Sequence, residues 1–244
     1  MSAPHPPLKD YYASETERGG WVKHIFDRTA GDYNRVERFM ALGSGSWYRR
    51  RALARGGLGR GMRVLDIGVG TGLTACEAAH LVADPSLVIG VDPSPGMVEC
   101  AKVPPQLQLK IGRAEEIPVE ADTADFLSMG YALRHVGDLS AAFREFMRVL
   151  VPGGRICLLE ITRPEGRTAR ALLKAYMRGI VPLFARGIAK HRDTPELMRY
   201  YWDTIDSCAP PEQIMAALRA AGFQDVRRHV ELGVFSEYCA RKPG

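Results

Sequence analysis

The run Val64-Leu65-Asp66-Ile67-Gly68-Val69-Gly70-Thr71-Gly72 constrains the fold of this 244-residue chain more than any other segment. It reads as a buried strand carrying an acid, a turn through three glycines and the start of a helix at 73–82. Such a corner presents free backbone N–H groups at a helix N-terminus, and in a βαβ unit it is where nucleotides bind. One βα unit later an apolar run over 87–91 ends in Asp92. An acid at that strand tip, about 20 residues past the glycines, is placed to hydrogen-bond a ribose diol.

The spacing chooses among nucleotides. Dinucleotide sites favour G-x-G-x-x-G, because a helix N-terminus must meet a pyrophosphate. Here the glycines are spaced G-x-G-x-G, and Asp66 stands two residues before the first of them. A carboxylate there opposes a pyrophosphate by like-charge repulsion and suits a ligand bearing an ammonium and a sulfonium. The expected cofactor is therefore S-adenosylmethionine, with Asp66, Gly68, Gly70 and Gly72 around its methionine moiety and Asp92 on its ribose.

The rest of the chain repeats the alternation. Strands are expected at 63–67, 87–92, 107–111, 124–129 and 154–160, and helices at 72–82, 94–102 and 139–150, which implies a parallel sheet with right-handed crossovers. A helix at 211–221 and strands near 225–231 and 234–240, joined at Gly233, complete the pattern. The fold class is α/β: a Rossmann-like, seven-stranded, mostly parallel sheet with an antiparallel C-terminal hairpin. Residues 1–20 are expected to be loosely attached, 21–55 to form a helical cap, and 62–244 to form the cofactor-binding domain with a helical insert at about 163–206.

Composition narrows the function classes. The five cysteines are dispersed and form no C-x-x-C pair, so neither a disulfide framework nor a zinc site is expected, and no catalytic metal is suggested. No run of about 18 apolar residues exists for a spanning helix, and the proline-rich start lacks a secretory apolar region. The cytoplasm is the expected location. A net charge of +5 and a pI near 9.0 invite a nucleic-acid reading, yet no RNA-binding motif accompanies it and nucleic acid is not the expected partner. The basic residues instead gather at Arg163, Arg167, Arg170, Lys174, Arg178, Arg186, Lys190 and Arg192, against Glu165 alone. Between them Leu172, Leu173, Tyr176, Met177, Ile180 and Val181 recur at helical spacing, and Pro182 is expected to end or kink the run. Such a helix can lie in a membrane interface or gate a pocket for a lipophilic substrate; equally, it can pack on its own core with its charges solvated.

Several motifs carry a family resemblance over about residues 22–240. Phe26-Asp27-Arg28-Thr29-Ala30-Gly31-Asp32-Tyr33, Gly112-Arg113-Ala114-Glu115-Glu116-Ile117-Pro118, Tyr131-Ala132-Leu133-Arg134-His135-Val136, and the stretch Arg148–Gly154 with Glu160 together resemble the ubiquinone/menaquinone biosynthesis C-methyltransferases. These belong to the class I S-adenosylmethionine-dependent methyltransferases. The resemblance implies C-methylation of a reduced quinone or related aromatic ring. It also implies that Tyr33 caps the methionine end of the cofactor. The chain departs from the family pattern at Asn34 (usually Asp), Arg113 (usually Asp), His135 (usually Asn) and Gly45-Ser46, where a His is usual. The cofactor half matches and the substrate half has diverged.

Methyl transfer is an in-line displacement, so the enzyme mainly aligns the reactants and excludes water. A ring-carbon nucleophile also needs its phenol deprotonated, which a positioned base assists. His135, just past the fourth strand and expected to titrate near neutrality, is either that base or a loop-packing residue. Arg134 either stabilises a phenolate or forms a structural salt bridge. Tyr33 caps the cofactor or belongs to the core. Met97 packs on the adenine or within the core, Ala114 offers backbone groups to the adenine edge, and Glu115 braces that loop. Glu160 faces the pocket or stands behind it. The partners expected are an aromatic or quinone substrate, a membrane surface (the inner membrane) through the basic insert, and a second copy in a homodimer. A soluble small-molecule methyltransferase, a nucleic-acid binder and a non-catalytic cofactor binder are the rival readings.

Overall fold

Strand and helix alternate from Val64 as the apolar pattern requires. The computed structural model describes residues 3–40 and 43–244; residues 1, 2, 41 and 42, and the side chains of Met40, Ala185, Arg186 and Ile188, lie outside the description, so the basic run is followed without Arg186. Two helices, α1 (Glu15–Met40) and α2 (Gly45–Gly56), precede the sheet. Then follow β1 (Val64–Ile67), α3 (Leu73–Val82), β2 (Val88–Asp92), α4 (Pro95–Glu99), β3 (Gln108–Ile111), β4 (Ala124–Gly130), α5 (Leu139–Val149) and β5 (Leu150–Ile161). Side chains at the helix starts explain where they begin: Ser94 Oγ accepts from the Met97 N–H at the head of α4, and Asp138 Oδ1 from Ser140 and Ala141 at the head of α5.

After β5 come α6 (Arg167–Lys174), a wide π turn over Ala175–Ile180, α7 (Val181–Ile188) and α8 (Thr194–Ser207). Helix α9 (Pro211–Ala220) and strands β6 (Gln224–Glu231) and β7 (Phe235–Arg241) close the chain. The sheet order is β3-β2-β1-β4-β5-β7-β6, with β7 antiparallel to both neighbours. The seven-stranded, mostly parallel α/β fold read from the sequence is the observed one. Strand β5 starts at Leu150, ahead of the expected 154, so Val151–Gly154 is an irregular strand start, with its register shift against β4. Pro182 does not end the insert helix. A proline ring clashes with the carbonyl four residues back, and the π turn just before it widens the helix where that ladder must give way.

The sheet divides two apolar layers. One packs α5 and α9 on Leu127, Met129, Ile156 and Leu158; the other packs α2 and α3 on Val64, Val88, Phe126 and Leu159. A third cluster joins Val22, Ile25 and Val36 of α1 to Met177, Val181 and the α8 residues Leu197, Tyr201 and Trp202. The N-terminal helix and the insert thus form one lobe over the sheet. The expectation of a loose stretch over 1–20 is corrected for residues 3–20. Tyr12, His5 and Arg18 are buried, α1 begins at Glu15, and the Ala209 N–H donates to the Pro4 carbonyl at 2.7 Å. Buried contacts anchor this terminus, which composition alone could not reveal.

Candidate functional site

Strand β1 is buried along its whole length and delivers the chain to Gly68 at the sheet's carboxyl edge. Gly68 has φ of 67°, and a Cβ there would come within 2.5 Å of the Ala132 Cβ. Only glycine takes that turn without strain or collision. The amides of Gly68 and Val69 donate to the Val91 carbonyl at 2.8 and 3.0 Å, and the Gly70 N–H donates to Asp92 Oδ2 at 2.8 Å. Asp92 Oδ1 accepts from the Ser94 N–H. Each carboxylate oxygen has a lone pair left, and burial pushes the Asp92 carboxyl up to about 6.

Helix α1 clamps this corner from above. Asp27 accepts from Ser94 Oγ at 2.5 Å and from the Gly96 N–H at 3.0 Å. A Cβ on Gly96 would lie 2.9 Å from the Asp27 backbone, so glycine permits the approach. Thr71 Oγ1 donates to Asn34 Oδ1 at 2.6 Å. The residue that departs from the family pattern therefore still latches the helix to the glycine turn.

Between the clamp and the strand tips lies a cavity of about 730 Å³, the size of a small-molecule site. Its lining joins Gly68, Gly70, Asp92, Met97, Ala114 and Glu115, from the strand tips and the loops after them, to the rings of Tyr33, Phe26, Tyr131, His135 and Tyr201. Glu115 Oε1 accepts from the Gly137 and Asp138 amides at 2.7 and 3.2 Å, tying its loop to the head of α5. Tyr131 holds φ of 61°, a strained value for a non-glycine residue. Its peptide is pinned by a donation to the Leu159 carbonyl at 2.8 Å, and the Arg49 guanidinium stands 5.4 Å from its ring centre.

Three expectations need correction. Asp66 and Gly72 do not line the cavity: Asp66 is fully buried beneath the turn, accepts from Ser128 Oγ at 2.6 Å, and is pushed by burial up to about 7. The strand period that buries β1 turns its side chain into the sheet layer. Arg134 does not reach the cavity either. Its guanidinium is buried against Glu160, donates to the Tyr131 carbonyl at 2.8 Å and Thr204 Oγ1 at 3.2 Å, and lies 5.0 Å from the Tyr201 ring centre. Glu160 is thereby engaged behind the wall as well. His135 does line the cavity but does not titrate near neutrality. Burial first, then Arg134, Arg18 and His5, hold its imidazole well below the usual range. Its Nδ1 lies 3.2 Å from the Tyr200 hydroxyl, Phe26 meets its ring edge-on at 5.2 Å, and its Nε2 is buried without a partner.

Sequence reasoning missed Arg18, Tyr131 and Tyr201 as wall residues. Only the motif around Tyr131 carried a local signal; Arg18 and Tyr201 reach the wall through tertiary packing. Among the described residues no group of three or more His, Cys, Asp or Glu side chains could hold a metal ion.

A glycine turn at the end of the first strand, an acid at the next strand tip and a seven-stranded sheet with β7 reversed define a class I S-adenosylmethionine-dependent methyltransferase. Solved structures share the fold. A SAM-dependent methyltransferase from Thermotoga maritima matches with a TM-score of 0.63 at 22% identity, covering 90% of this chain and 99% of that one. Phosphoethanolamine N-methyltransferase 2 of Haemonchus contortus matches at 0.65 and 18%, over 91% of this chain and 60% of that one. The chain belongs to the ubiE/COQ5 methyltransferase family, whose model matches residues 12–242. It is 32% identical to a demethylmenaquinone methyltransferase of Roseiflexus castenholzii over 93% of this chain and 96% of that protein. It is 30% identical to one of Symbiobacterium thermophilum, over 86% and 87% respectively.

Proposed function

We propose that this enzyme methylates a ring carbon of a reduced quinone bearing an apolar chain. The observation that carries the reading is the aromatic part of the cavity lining, where Phe26 and Tyr201 pack on the neutral imidazole of His135 and Tyr33 and Tyr131 line the same space. Aromatic walls suit a flat ring, and the unpartnered Nε2 gives that ring's oxygen one polar neighbour. Relatives at 30–32% identity are named for the same substrate class.

S-adenosylmethionine supplies an electrophilic methyl group when bound. Asp92 holds the ribose through its spare lone pairs, Gly68 and Gly70 let the backbone approach, and Met97 and Ala114 border the adenine. Asp66 acts from beneath, by fixing the turn. His135 hydrogen-bonds the ring oxygen. With its basicity reduced by burial, it takes the phenol proton only where the resulting phenolate is itself stabilised.

The insert offers the apolar chain a way in. Leu173, Tyr176, Met177 and Val181 face the lobe's core, whereas Leu172 (72% exposed) and Leu183 (65%) face outward, as do Arg167 and Lys174 of the same helical run. Arg170 and Arg178 are partly neutralised by Asp206 and Asp203 of α8. A strip of exposed leucines flanked by cations suits the surface of an anionic bilayer. Among the described residues no helix is long and apolar enough to cross one.

The test is mass-spectrometric transfer from methyl-deuterated S-adenosylmethionine to reduced demethylated quinones in detergent, beside soluble phenols. Label on a quinone ring carbon is the expected result. Label on soluble phenols alone overturns the substrate assignment and leaves the methyltransferase.

A further inference from the structure

Arg18 is a buried charged group in the cavity lining that the reaction has not yet used. It is 1% exposed and lies on the first turns of α1, in the stretch whose sequence looks loose. Its Nη1 donates to Glu15 at 2.6 Å, and its Nη2 donates to the Arg134 carbonyl at 2.8 Å and to His5 Nε2 at 2.9 Å. Its Nε is buried and has no partner. His5 cannot supply countercharge. It donates from Nδ1 to the Pro6 carbonyl and accepts from Arg18 on Nε2, so the ring is neutral, and burial holds it down to about 4. Arg134 is itself a cation spent on Glu160. Among the described residues the carboxylate paired with Arg18 is Glu15, whose side chain is 39% exposed and so screened by water.

A buried guanidinium normally satisfies all five N–H donors. An Nε–H without a partner, on a side chain that lines the same cavity as His135 with its equally unpartnered Nε2, has its acceptor to find outside the chain. Both side chains line the same cavity, and the proximity of Arg18 is among the causes that keep His135 neutral. The same cation that takes basicity from His135 can give acidity to a phenol held next to it.

We propose that Arg18 is a substrate-binding residue whose Nε–H holds the ionised ring oxygen of a phenolic substrate, opposite His135. This rests on the proposed ring chemistry, since a substrate without an acidic ring oxygen gives Arg18 nothing to hold. It moves the phenolate-stabilising role from Arg134, which is locked behind the wall, to an arginine of the N-terminal helix.

The experiment titrates a chromogenic phenol, 4-nitrophenol, bound to the S-adenosylhomocysteine complex, reading its ionisation by visible absorbance. Wild type should raise the acid dissociation constant of the bound probe about 10- to 1000-fold over the free phenol. Arg18→Gln should abolish that rise, Arg18→Lys should keep part of it, and both should retain S-adenosylhomocysteine affinity, which a merely structural residue would not arrange. On the reduced quinone, Arg18→Gln should lower kcat by about 10²-fold. A probe that does not bind, or binds with the ionisation of the free phenol, overturns the assignment. So does an unchanged ionisation in Arg18→Gln. The two readings fail separately: ring-carbon label with an ionisation indifferent to Arg18 removes this inference alone. An Arg18-dependent ionisation without quinone turnover removes the quinone and keeps the phenolate site.

Discussion

The two walls of the cavity are built on opposite principles. The cofactor wall is local: Gly68, Gly70, Asp92 and Met97 lie within 30 positions of one another and are held by backbone hydrogen bonds between adjacent turns. The substrate wall is assembled from afar. Arg18 and His135 line it, and His5, Arg134 and Tyr200, brought from across the chain, hold them from behind through side-chain contacts. Backbone-built sites follow from the fold of one βαβ unit and tolerate change around them. Side-chain networks depend on every member, so the substrate wall is where single substitutions should cost most.

The sharpest way to break that contrast is Glu160→Ala. It leaves Arg134 buried without its countercharge, and removing one partner of a buried ion pair costs about 3–5 kcal/mol. Denaturant unfolding should show a loss of that order, with Glu160→Leu/Arg134→Met recovering much of it, because the pair's members are costly mainly when orphaned. A loss under about 1 kcal/mol would mean that water reaches Arg134 and that the network is not the lobe's anchor.

A crossed pair of variants sharpens the comparison at lower amplitude. Asp92→Ala should weaken S-adenosylhomocysteine binding by about 1–3 kcal/mol, through loss of charged hydrogen bonds. It should also free the Gly70 N–H. His135→Ala should leave that affinity within a few-fold of wild type and lower turnover instead. Calorimetry and single-turnover transfer separate the two effects; a His135 variant that loses cofactor affinity would merge the walls into one unit.

The same division explains what the sequence made legible. The sheet, its order and the cofactor turn follow from apolar period, glycine position and the acid at Asp92, all short-range signals. Its place after the fourth strand located His135 on the cavity, but the ordinary imidazole titration expected of it fails because tertiary packing buries the ring and brings Arg18 near it, beside its sequence neighbour Arg134. Arg134 carried the family motif, yet its partner Glu160 sits one strand away, and only the pairing of β4 with β5 brings them together. Asp66 was legible as an acid near the turn, but not which way a buried strand aims it. The anchored terminus was the least legible: prolines and glycines around Tyr12 and Arg18 read as loose chain, while its order comes from cavities in the lobe that those side chains fill.

Acid should pull the two walls in opposite directions, a small effect on the whole molecule and a clear one locally. His5 binds a proton in the unfolded chain below its ordinary value of 6.5, but in the folded chain only near 4; His135 is shifted the same way. In the window from 6.5 down to about 4 the unfolded state binds more protons, so these two groups lose stability as pH falls. Asp92 and Asp66 reverse the sign. Folded, they take a proton below about 6 and about 7, against 3.8 unfolded, so from those values downward they gain stability as pH falls. For His5, Asp92 and Asp66 each contribution is on the order of 1–2 kcal/mol between pH 7 and 5, and the opposite signs partly cancel in global unfolding. Amide exchange corrected for intrinsic rate should resolve them: peptides over 3–20 and 133–137 lose protection at pH 5, while those over 64–72 and 88–94 hold or gain it. Adding S-adenosylhomocysteine should erase the gain around Asp92, because a ribose hydroxyl bonded to its carboxylate favours the ionised form. A uniform response across both walls, with or without ligand, would show that they do not titrate as separate units.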